Sequence, residues 1–247
     1  RRRHTRSFHV TGVQTCALPI SQAAVTVSPN QYQITYQLPR GGTLAAVTTV
    51  TAQGGSGDGD FTFSVDGPCL VKPVGVTDGS TSTHTSSGNA VVVATGAGTC
   101  TVTAGRSANG DFLAANTSTT SISILKGVQP DVIVVTTAAT TATYNEVAAP
   151  TVLASASGGN GLGAVTIAPT SASVGICSVG SSSTSGTVTT ATVTALAPGS
   201  CYLVATRASD SDFVSNTSNE PTSPQWDVSS QLRAVVVTSS VVVSYNA

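Results

Sequence analysis

The chain repeats one module, and this repetition limits its possible folds more than any other feature. The stretch GAGTCTVTAGRSANGDF at residues 96–112 recurs 101 residues later as APGSCYLVATRASDSDF at residues 197–213. In both copies a Gly-Thr/Ser-Cys step enters an alternating strand, and an Asp-Phe pair follows at the same distance. A period of about a hundred residues is too long for a solenoid and indicates consecutive domains, each with its own core.

The sequence that begins the module occurs three times. VTVSPNQYQITY ends at Tyr36, IVVTTAATTATYN contains Tyr144 and AVVVTSSVVVSYN contains Tyr245, at spacings of 108 and 101 residues. The spacing predicts a first module at residues 21–127, a second at 128–229, and the first strand of a truncated third module at 230–247. The linkers between them are short.

Residues 1–20, RRRHTRSFHVTGVQTCALPI, resemble a translated short-read sequencing adapter. The alternatives are an Arg-rich arm for nucleic acid or the start of a signal peptide, but no apolar segment follows. We expect this segment to be non-native and disordered, and the chain to be a metagenomic fragment at both ends. Without it, six basic residues face eleven acidic ones, so the net charge changes from −1 to −5 and five cysteines become four.

The remaining composition is typical of an all-β protein. Val, Thr, Ser, Ala and Gly dominate, and apolar and polar residues alternate at residues 45–51, 99–104, 121–125 and 187–195. Each module has room for about five to eight short strands, which is typical of a Greek-key sandwich. We therefore predict an all-β fold of tandem immunoglobulin-like Greek-key β-sandwiches.

Each predicted module contains two cysteines at corresponding positions. This favours the disulfides Cys69–Cys100 and Cys177–Cys201, which close loops of 31 and 24 residues. In the chain-entropy model each bond contributes about 3 to 4 kcal/mol to a sandwich with few aromatic residues. The alternative is four small buried thiols. If the bonds form, we expect an oxidising compartment outside the cytoplasm.

The segments VTALAPGSCYLVATRA at residues 193–208 and GNAVVVATGAGTCTVTAGRS at residues 88–107 resemble the closing half of bacterial immunoglobulin-like repeats. The cysteine pair resembles a cysteine-bearing subset of these repeats. The resemblance implies tandem modules of a large surface or secreted protein, located at the cell surface or outside the cell. Members of this family serve as spacers, stalks and sometimes adhesive tips, so the implied partners are the neighbouring modules of the same chain.

A metal site is only weakly indicated. Asp58 and Asp60 lie in GGSGDGDF, a Gly-rich segment resembling the calcium-binding nonapeptide GGxGxDx, and could offer oxygens to Ca²⁺. However, Gly59 stands where the pattern requires Asp, and the second module reads GGNGLGAV without either acid. A plain Gly-rich turn is therefore favoured.

Asp111 and Asp212 occur in both modules, each before a Phe. They indicate a turn before a buried aromatic residue, with a calcium site at the linker as the alternative. The cysteine and histidine spacing matches no zinc site.

The sequence offers no constellation for catalysis. Nucleophilic catalysis needs a base within hydrogen-bond reach of the nucleophile. His84 is the only histidine outside the N-terminal segment and stands alone in the loop-like sequence THTSSG, so there is no candidate set. The acidic residues are scattered in turn-like sequence and do not suggest a carboxylate pair. We expect no enzyme activity, no catalytic residues, no cofactor and no nucleic-acid partner.

Several single residues have ordinary structural interpretations. Trp226 could stack on a sugar, but its place in the module favours the core or an inter-domain role. Lys72 and Lys126 cannot supply an intramolecular isopeptide bond to the second module. The sequons at Asn116 and Asn216 match the glycosylation pattern, which is common by chance.

These features favour a structural spacer or stalk fragment of a bacterial surface or secreted protein, adhesin-like in architecture, monomeric, and without a membrane span in this segment. The alternative is a module that binds carbohydrate or a host protein through loops at one end of the sandwich. The segments that differ most between the modules, around residues 71–88 and 171–186, keep this alternative open.

Overall fold

The computed structural model describes residues 20–37, 46–129, 134–218 and 225–231. It divides into two compact units, Arg1–Leu125 and Lys126–Ala247. Apart from Ile20, the segment predicted to be non-native lies outside the described residues. The same holds for the predicted third-module strand beyond Gln231.

Unit 1 is built from strands whose apolar residues alternate with exposed Thr, Ser and Gln. In β1 and in β3 from Thr49 onward, for example, buried Val and Ala side chains alternate with more exposed polar ones, as expected for sheets with one buried face. The described strands are β1 (Val25–Pro29), β2 (Gln33–Thr35), β3 (Val47–Gly54), β4 (Phe61–Asp66), β5 (Cys69–Pro73), β6 (Ser82–Thr85), β7 (Asn89–Ala94), β8 (Gly98–Arg106) and β9 (Ala115–Leu125).

The strand order of unit 1 identifies an immunoglobulin-like sandwich. One sheet has the order β1-β3-β7-β5, and the other has the order β2-β9-β8-β4-β6. In immunoglobulin nomenclature the first sheet is A-B-E-D and the second contains A′-G-F-C, with the parallel β2–β9 pair in the A′ position. The outer strand β6 lies beside C, where C′ lies in variable-type domains, but it follows D in the chain instead of preceding it. The predicted fold class is therefore confirmed.

Unit 2 repeats this plan with more breaks. Its described strands are β10 (Val134–Thr137), β11 (Thr141–Thr143), β12 (Thr151–Ser157), β13 (Val165–Pro169), β14 (Cys177–Val179), β15 (Ser183–Ser185), β16 (Val188–Ala195), β17 (Gly199–Cys201), β18 (Leu203–Arg207), β19 (Asn216–Thr217) and β20 (Trp226–Ser229). A 3-10 turn at Ser171–Ser173 precedes β14. One sheet has the order β10-β12-β16-β14, with β15 also paired to β16.

The second sheet of unit 2 is divided into β11-β20-β17 and β13-β18-β19. The division falls at Tyr202, between β17 and β18. There the side chain of Gln225 takes the place of a backbone partner: Leu203 N–H donates to Gln225 Oε1 at 2.8 Å, and Gln225 Nε2 donates to the Leu203 carbonyl at 3.2 Å. The sheet therefore remains hydrogen bonded where its ladder is interrupted.

Each core lies between the two sheets and consists largely of aliphatic side chains. In unit 1 the fully buried side chains include Val50, Phe63, Val71, Val92, Val102 and Ile122. In unit 2 Trp226 is the largest buried side chain, 1% exposed, and it packs in the core with Leu203 and Val193. Trp226 is thus a core residue, and its buried indole is not available for sugar stacking.

A disulfide joins the two sheets of each unit. Cys69 on β5 bonds to Cys100 on β8, with the Cα atoms 5.9 Å apart. Cys177 on β14 bonds to Cys201 on β17, with the Cα atoms 6.0 Å apart. All four cysteines are 4% exposed or less, so each bond lies inside its own sandwich.

Removing one disulfide should destabilise only the unit that contains it. We expect the paired change Cys69→Ala and Cys100→Ala to lower the free energy of unfolding of unit 1 by about 3 kcal/mol, because the unfolded loop is no longer restrained. Denaturant unfolding of the full chain, followed by Trp226 fluorescence for unit 2 and by amide signals for unit 1, measures this. The matched change Cys177→Ala and Cys201→Ala should affect unit 2 alone. Equal losses in both units, or four alkylatable module thiols in the untreated protein, would contradict the prediction.

Candidate functional site

The Gly-rich segments that sequence analysis selected form the same structure in both units, organised around an arginine. In unit 1, Arg106 ends β8, just after a register shift in the β8–β9 ladder that redirects its side chain. Its guanidinium donates hydrogen bonds to the carbonyls of Gly59 at 2.8 Å, Gly54 at 3.1 Å and Gly55 at 3.2 Å. The group also lies over the Phe61 ring, 4.6 Å from its centre. One cation thus holds both ends of the loop.

Arg207 does the same in unit 2. It ends β18 and donates to the carbonyls of Gly158 at 2.8 Å, Gly163 at 2.9 Å and Gly161 at 3.0 Å. Val165 stands at the position of Phe61, so the second arginine has no equivalent aromatic ring beneath it. We call the Gly-rich loop together with its arginine the arginine clamp: residues 54–59 with Arg106, and residues 158–163 with Arg207.

Glycine is required where the loop approaches the backbone of the residue that follows the arginine. A Cβ atom at Gly59 would lie 2.3 Å from the carbonyl oxygen of Ser107, and one at Gly163 would lie 1.9 Å from that of Ala208. Neither contact is possible without moving the backbone. This explains why glycine stands where the calcium-binding pattern would need aspartate.

A glutamine near the start of each unit packs into the clamp. Gln22 is 8% exposed and donates from Nε2 to the Ser107 carbonyl at 3.1 Å. Gln129 is 3% exposed, donates to the Val214 carbonyl at 3.2 Å and accepts from Gly161 N–H at 3.4 Å. The chain that enters each unit is therefore fastened to that unit before its first strand begins.

A side-chain-capped turn completes the attachment in unit 1. Asn109 Oδ1 accepts from the N–H groups of Phe112 at 3.0 Å and Asp111 at 3.3 Å. This turn pairs with Ile20 in a parallel bridge, with Ile20 N–H donating to the Asp111 carbonyl and Leu113 N–H donating to the Ile20 carbonyl. Ile20, expected to be non-native, therefore occupies a place in the unit.

Unit 2 builds the same turn with an aspartate. Asp210 Oδ1 accepts from Phe213 N–H at 2.7 Å and Asp212 N–H at 2.9 Å, and Oδ2 accepts from Leu162 N–H at 2.5 Å. Gly127 takes the position of Ile20 in a parallel bridge to Phe213. The Asp-Phe pairs of the sequence repeat thus mark the turn that receives the incoming chain. Phe213 is buried as expected, whereas Phe112 is only half-buried.

The environment of Asp210 favours its ionised form. Partial burial raises the pKa of this carboxyl, but hydrogen bonds from the backbone N–H groups of Phe213, Leu162, Asp212 and Gly163 outweigh it. The net pKa lies below the usual value of 3.8. The corresponding Asn109 carries no charge and donates from its amide to the Asp58 carboxylate.

Both predicted calcium candidates are exposed. Asp58 lies on the clamp loop of unit 1, where its carboxylate accepts a hydrogen bond from the Asn109 amide, and Asp60 follows directly after the loop. In the described part of the chain, no group of three or more His, Cys, Asp or Glu side chains is placed to hold a metal ion.

The other selected residues lie apart from the clamp. His84 is exposed on β6 opposite Thr62. Lys72 is 7% exposed and donates from Nζ to the Thr77 carbonyl at 3.3 Å. No helix within the described residues has the length and apolar character needed to cross a membrane.

The arginine and glutamine of the clamp were not selected from the sequence, although a signal was present. Arg106 and Arg207 stand at the same position of the two copies in a chain with only ten basic residues, four of them in the N-terminal segment. A charged residue retained at the end of an apolar strand indicates a buried partner. Each arginine donates to three backbone carbonyls of its own loop, which suits the clamp to fixing structure.

No protein-family profile and no curated protein matches the chain. Among solved structures it is similar to domains 5–6 of the S-layer protein SbsC, with 13% identity over 87% of this chain and 100% of that one, and a TM-score of 0.27. It is also similar to the D00–D0 domain of intimin, with 14% identity, coverage of 78% and 97%, and a TM-score of 0.28. A C-terminal fragment of intimin in complex with the intimin-binding domain of its translocated receptor gives 15% identity, coverage of 82% and 64%, and a TM-score of 0.28. The fold assignment rests on the strand order of unit 1.

Acid should weaken unit 2 through Asp210. Because the folded-state pKa of this carboxyl is depressed, its stabilising effect is complete above the unfolded-state pKa and is lost as the pH falls through the folded-state value. We expect wild-type unit 2 to lose stability below about pH 4 more steeply than the Asp210→Asn variant. Urea unfolding of the full chain between about pH 7 and pH 2 measures the difference.

Unit 1 provides the matched control for this prediction. It carries Asn109 at the equivalent position, so its acid sensitivity should not change in the Asp210→Asn variant. Parallel pH profiles of unit 2 in wild type and variant would refute the assigned role of Asp210.

Proposed function

We propose that the chain is a structural spacer or stalk segment of a bacterial surface-exposed or secreted protein and performs no catalysis. The observation that carries this proposal is the repetition of the arginine clamp. Each unit fastens its own incoming chain through Gln22 or Gln129 and through the turn at Asn109 or Asp210. A module that fixes its own incoming chain can be joined in series without loosening its neighbours.

The disulfides support the same proposal and its location. Each bond connects the two sheets of a sandwich, so the sheets cannot separate completely while it is intact. Disulfides form and persist in oxidising environments outside the cytoplasm. An extracellular or cell-surface location agrees with a module that is restrained covalently instead of by a large aromatic core.

Binding of a glycan or host protein through the loops is the second candidate. It is favoured by one difference between the units: the segment after β5 forms β6 in one sheet, whereas the segment after β14 forms β15 in the other sheet. Surface segments that differ on a shared scaffold are the usual places for specific contacts. The Gly-rich loop of unit 2 also borders a cleft of about 780 Å³.

Pulling the full chain from its two ends tests the spacer proposal. Both units should unfold in separate force events, and intact disulfides should shield 31 residues of unit 1 and 24 of unit 2 from extension. At about 3.4 Å per residue, reduction should lengthen the two events by roughly 100 Å and roughly 80 Å. The cysteine-to-alanine variants serve as controls that show the longer events without reductant.

Two results would contradict the proposal. One is extension of the oxidised chain without discrete unfolding events. The other is specific binding of the full chain on a glycan or extracellular-protein array that is lost in the Asp78→Ala variant of the unit 1 loop but kept when a residue outside the loops, such as Thr166, is changed to Ala. The second result would establish the binding-module alternative.

A further inference from the structure

The two units differ at one edge of the sandwich. In unit 1, β6 pairs with β4 in the register Phe61↔Thr85 and Phe63↔Thr83 and forms the outer strand of its sheet. In unit 2 the corresponding segment, β15, pairs instead with β16 of the opposite sheet. The strand equivalent to β4 is β13, and it forms the outer edge of the described β13-β18-β19 sheet.

Turn length accounts for this difference. Ser185 pairs with Val188, so only Gly186 and Thr187 connect β15 to β16, and a turn this short joins antiparallel neighbours in the same sheet. Gly186 has a φ of +60°, which suits such a turn. In unit 1 three residues separate β6 from β7, and these two strands lie in different sheets. The short hairpin therefore draws β15 away from β13.

The outer edge of β13 presents backbone groups for another strand. Ala208 N–H donates to the Ala164 carbonyl, and Thr170 N–H donates to the Tyr202 carbonyl. In an antiparallel pair, the backbone groups of successive residues point alternately toward the partner strand and away from it. The N–H and C=O groups of the even-numbered residues of β13 therefore bond to β18, whereas those of Val165 and Ile167 point to the outer edge. Pro169 has no N–H, so the edge available to a donor strand is short.

The missing edge strand also leaves space between the sheets. The cleft of about 780 Å³ lies between the clamp loop, Val165 and Arg207 on one side and the β15–β16 hairpin on the other. Hydroxyl-bearing Thr184, Thr187 and Thr189 line the hairpin side. Val165 replaces the larger Phe61 of unit 1, so the cleft has more room than the corresponding position there.

We propose that the outer edge of β13 is a strand-acceptor site that binds an extended Ser/Thr-rich segment of a partner protein, antiparallel to β13. Unit 1 shows what such an edge accepts, because β6 has the sequence STHT. Thr83 and Thr85 are half-buried and face the core, whereas Ser82 and His84 point outward. The partner segment therefore carries Thr-sized side chains at alternate positions and polar side chains between them.

A peptide with the sequence of residues 79–87, GSTSTHTSS, is the probe for this site in the full chain. We expect it to bind and to slow amide hydrogen exchange at Val165 and Ile167 by at least about fivefold at saturation, because these N–H groups become bonded to the added strand. Exchange at Thr166 and Ala168, whose N–H groups face β18, should not change by more than about twofold.

Methylated peptides supply the matched controls. Val65 N–H donates to the Thr81 carbonyl, so the backbone N–H and C=O groups of residues 81, 83 and 85 point toward β4. N-methylation at Thr83 and Thr85 should abolish both binding and protection, whereas N-methylation at Ser82 and His84 should leave them intact. Neither control changes the protein, so a folding defect cannot imitate the result.

Three results would overturn the proposal. The first is no binding at millimolar peptide, and the second is equal binding of both methylated peptides. The third is protection of Val165 and Ile167 without peptide that disappears on dilution, as measured alongside sedimentation equilibrium. The third result would assign the edge to a second copy of the chain.

Discussion

Hydrogen bonds from one guanidinium group to the carbonyls of a Gly-rich loop are the interaction on which each unit depends. Arg106 and Arg207 close the end of the sandwich at which the chain enters. In unit 2 the loop also donates to Gln129 and to Asp210 of the capped turn. In unit 1 Asn109 of the turn donates to Asp58 of the loop. Gln22, by contrast, donates to the carbonyl of Ser107, next to Arg106. A guanidinium can serve three carbonyls at once because its donors are fixed in a planar fork, which a lysine ammonium cannot reproduce. The loop in turn must be glycine-rich, because side chains would collide with the backbone it packs against.

The disulfide and the clamp act on different parts of the same sandwich. Cys69–Cys100 and Cys177–Cys201 restrain the two sheets relative to each other. The clamp restrains the incoming segment, which lies outside the sheets and before the first strand, because the glutamine of that segment packs into the clamp. Both restraints lie within one module, so each module is stabilised by its own contacts. Additional copies in one chain therefore need no new long-range contacts.

Much of the fold followed from patterns that have one physical solution. Alternating Val and Thr predicted strands with one buried face, and Trp226 was expected to lie in the core or between domains; in the structure it is 1% exposed in the core of unit 2. The arginine clamp was not predicted because the hydrogen-bond partners of its arginine are backbone carbonyls, which every residue type carries. Among the residues of the loop, only the glycines point to it. The acids of GGSGDGDF suggested a cation site, whereas the cation present in the loop is the Arg106 side chain.

The sheet to which β6 and β15 belong could not be predicted from composition. Both segments are short and Ser/Thr-rich, and neither has an apolar face strong enough to select a sheet. The number of residues in the following turn decides the outcome. Three residues follow β6 before β7 of the opposite sheet, whereas two residues join β15 to β16 of the same sheet, and a different edge of the sandwich is covered in each unit.

The Arg207→Lys variant of the full chain tests the central role of the clamp most directly. Native-state hydrogen exchange should show that Gly127 and Val214, whose N–H groups bond within the turn that receives the incoming chain, lose protection. The free energy of unfolding of unit 2 should fall by about 2 kcal/mol, while unit 1 with its own Arg106 stays unchanged. Unchanged protection of Gly127 and Val214, together with a loss below about 0.5 kcal/mol, would show that the guanidinium does not hold the module together.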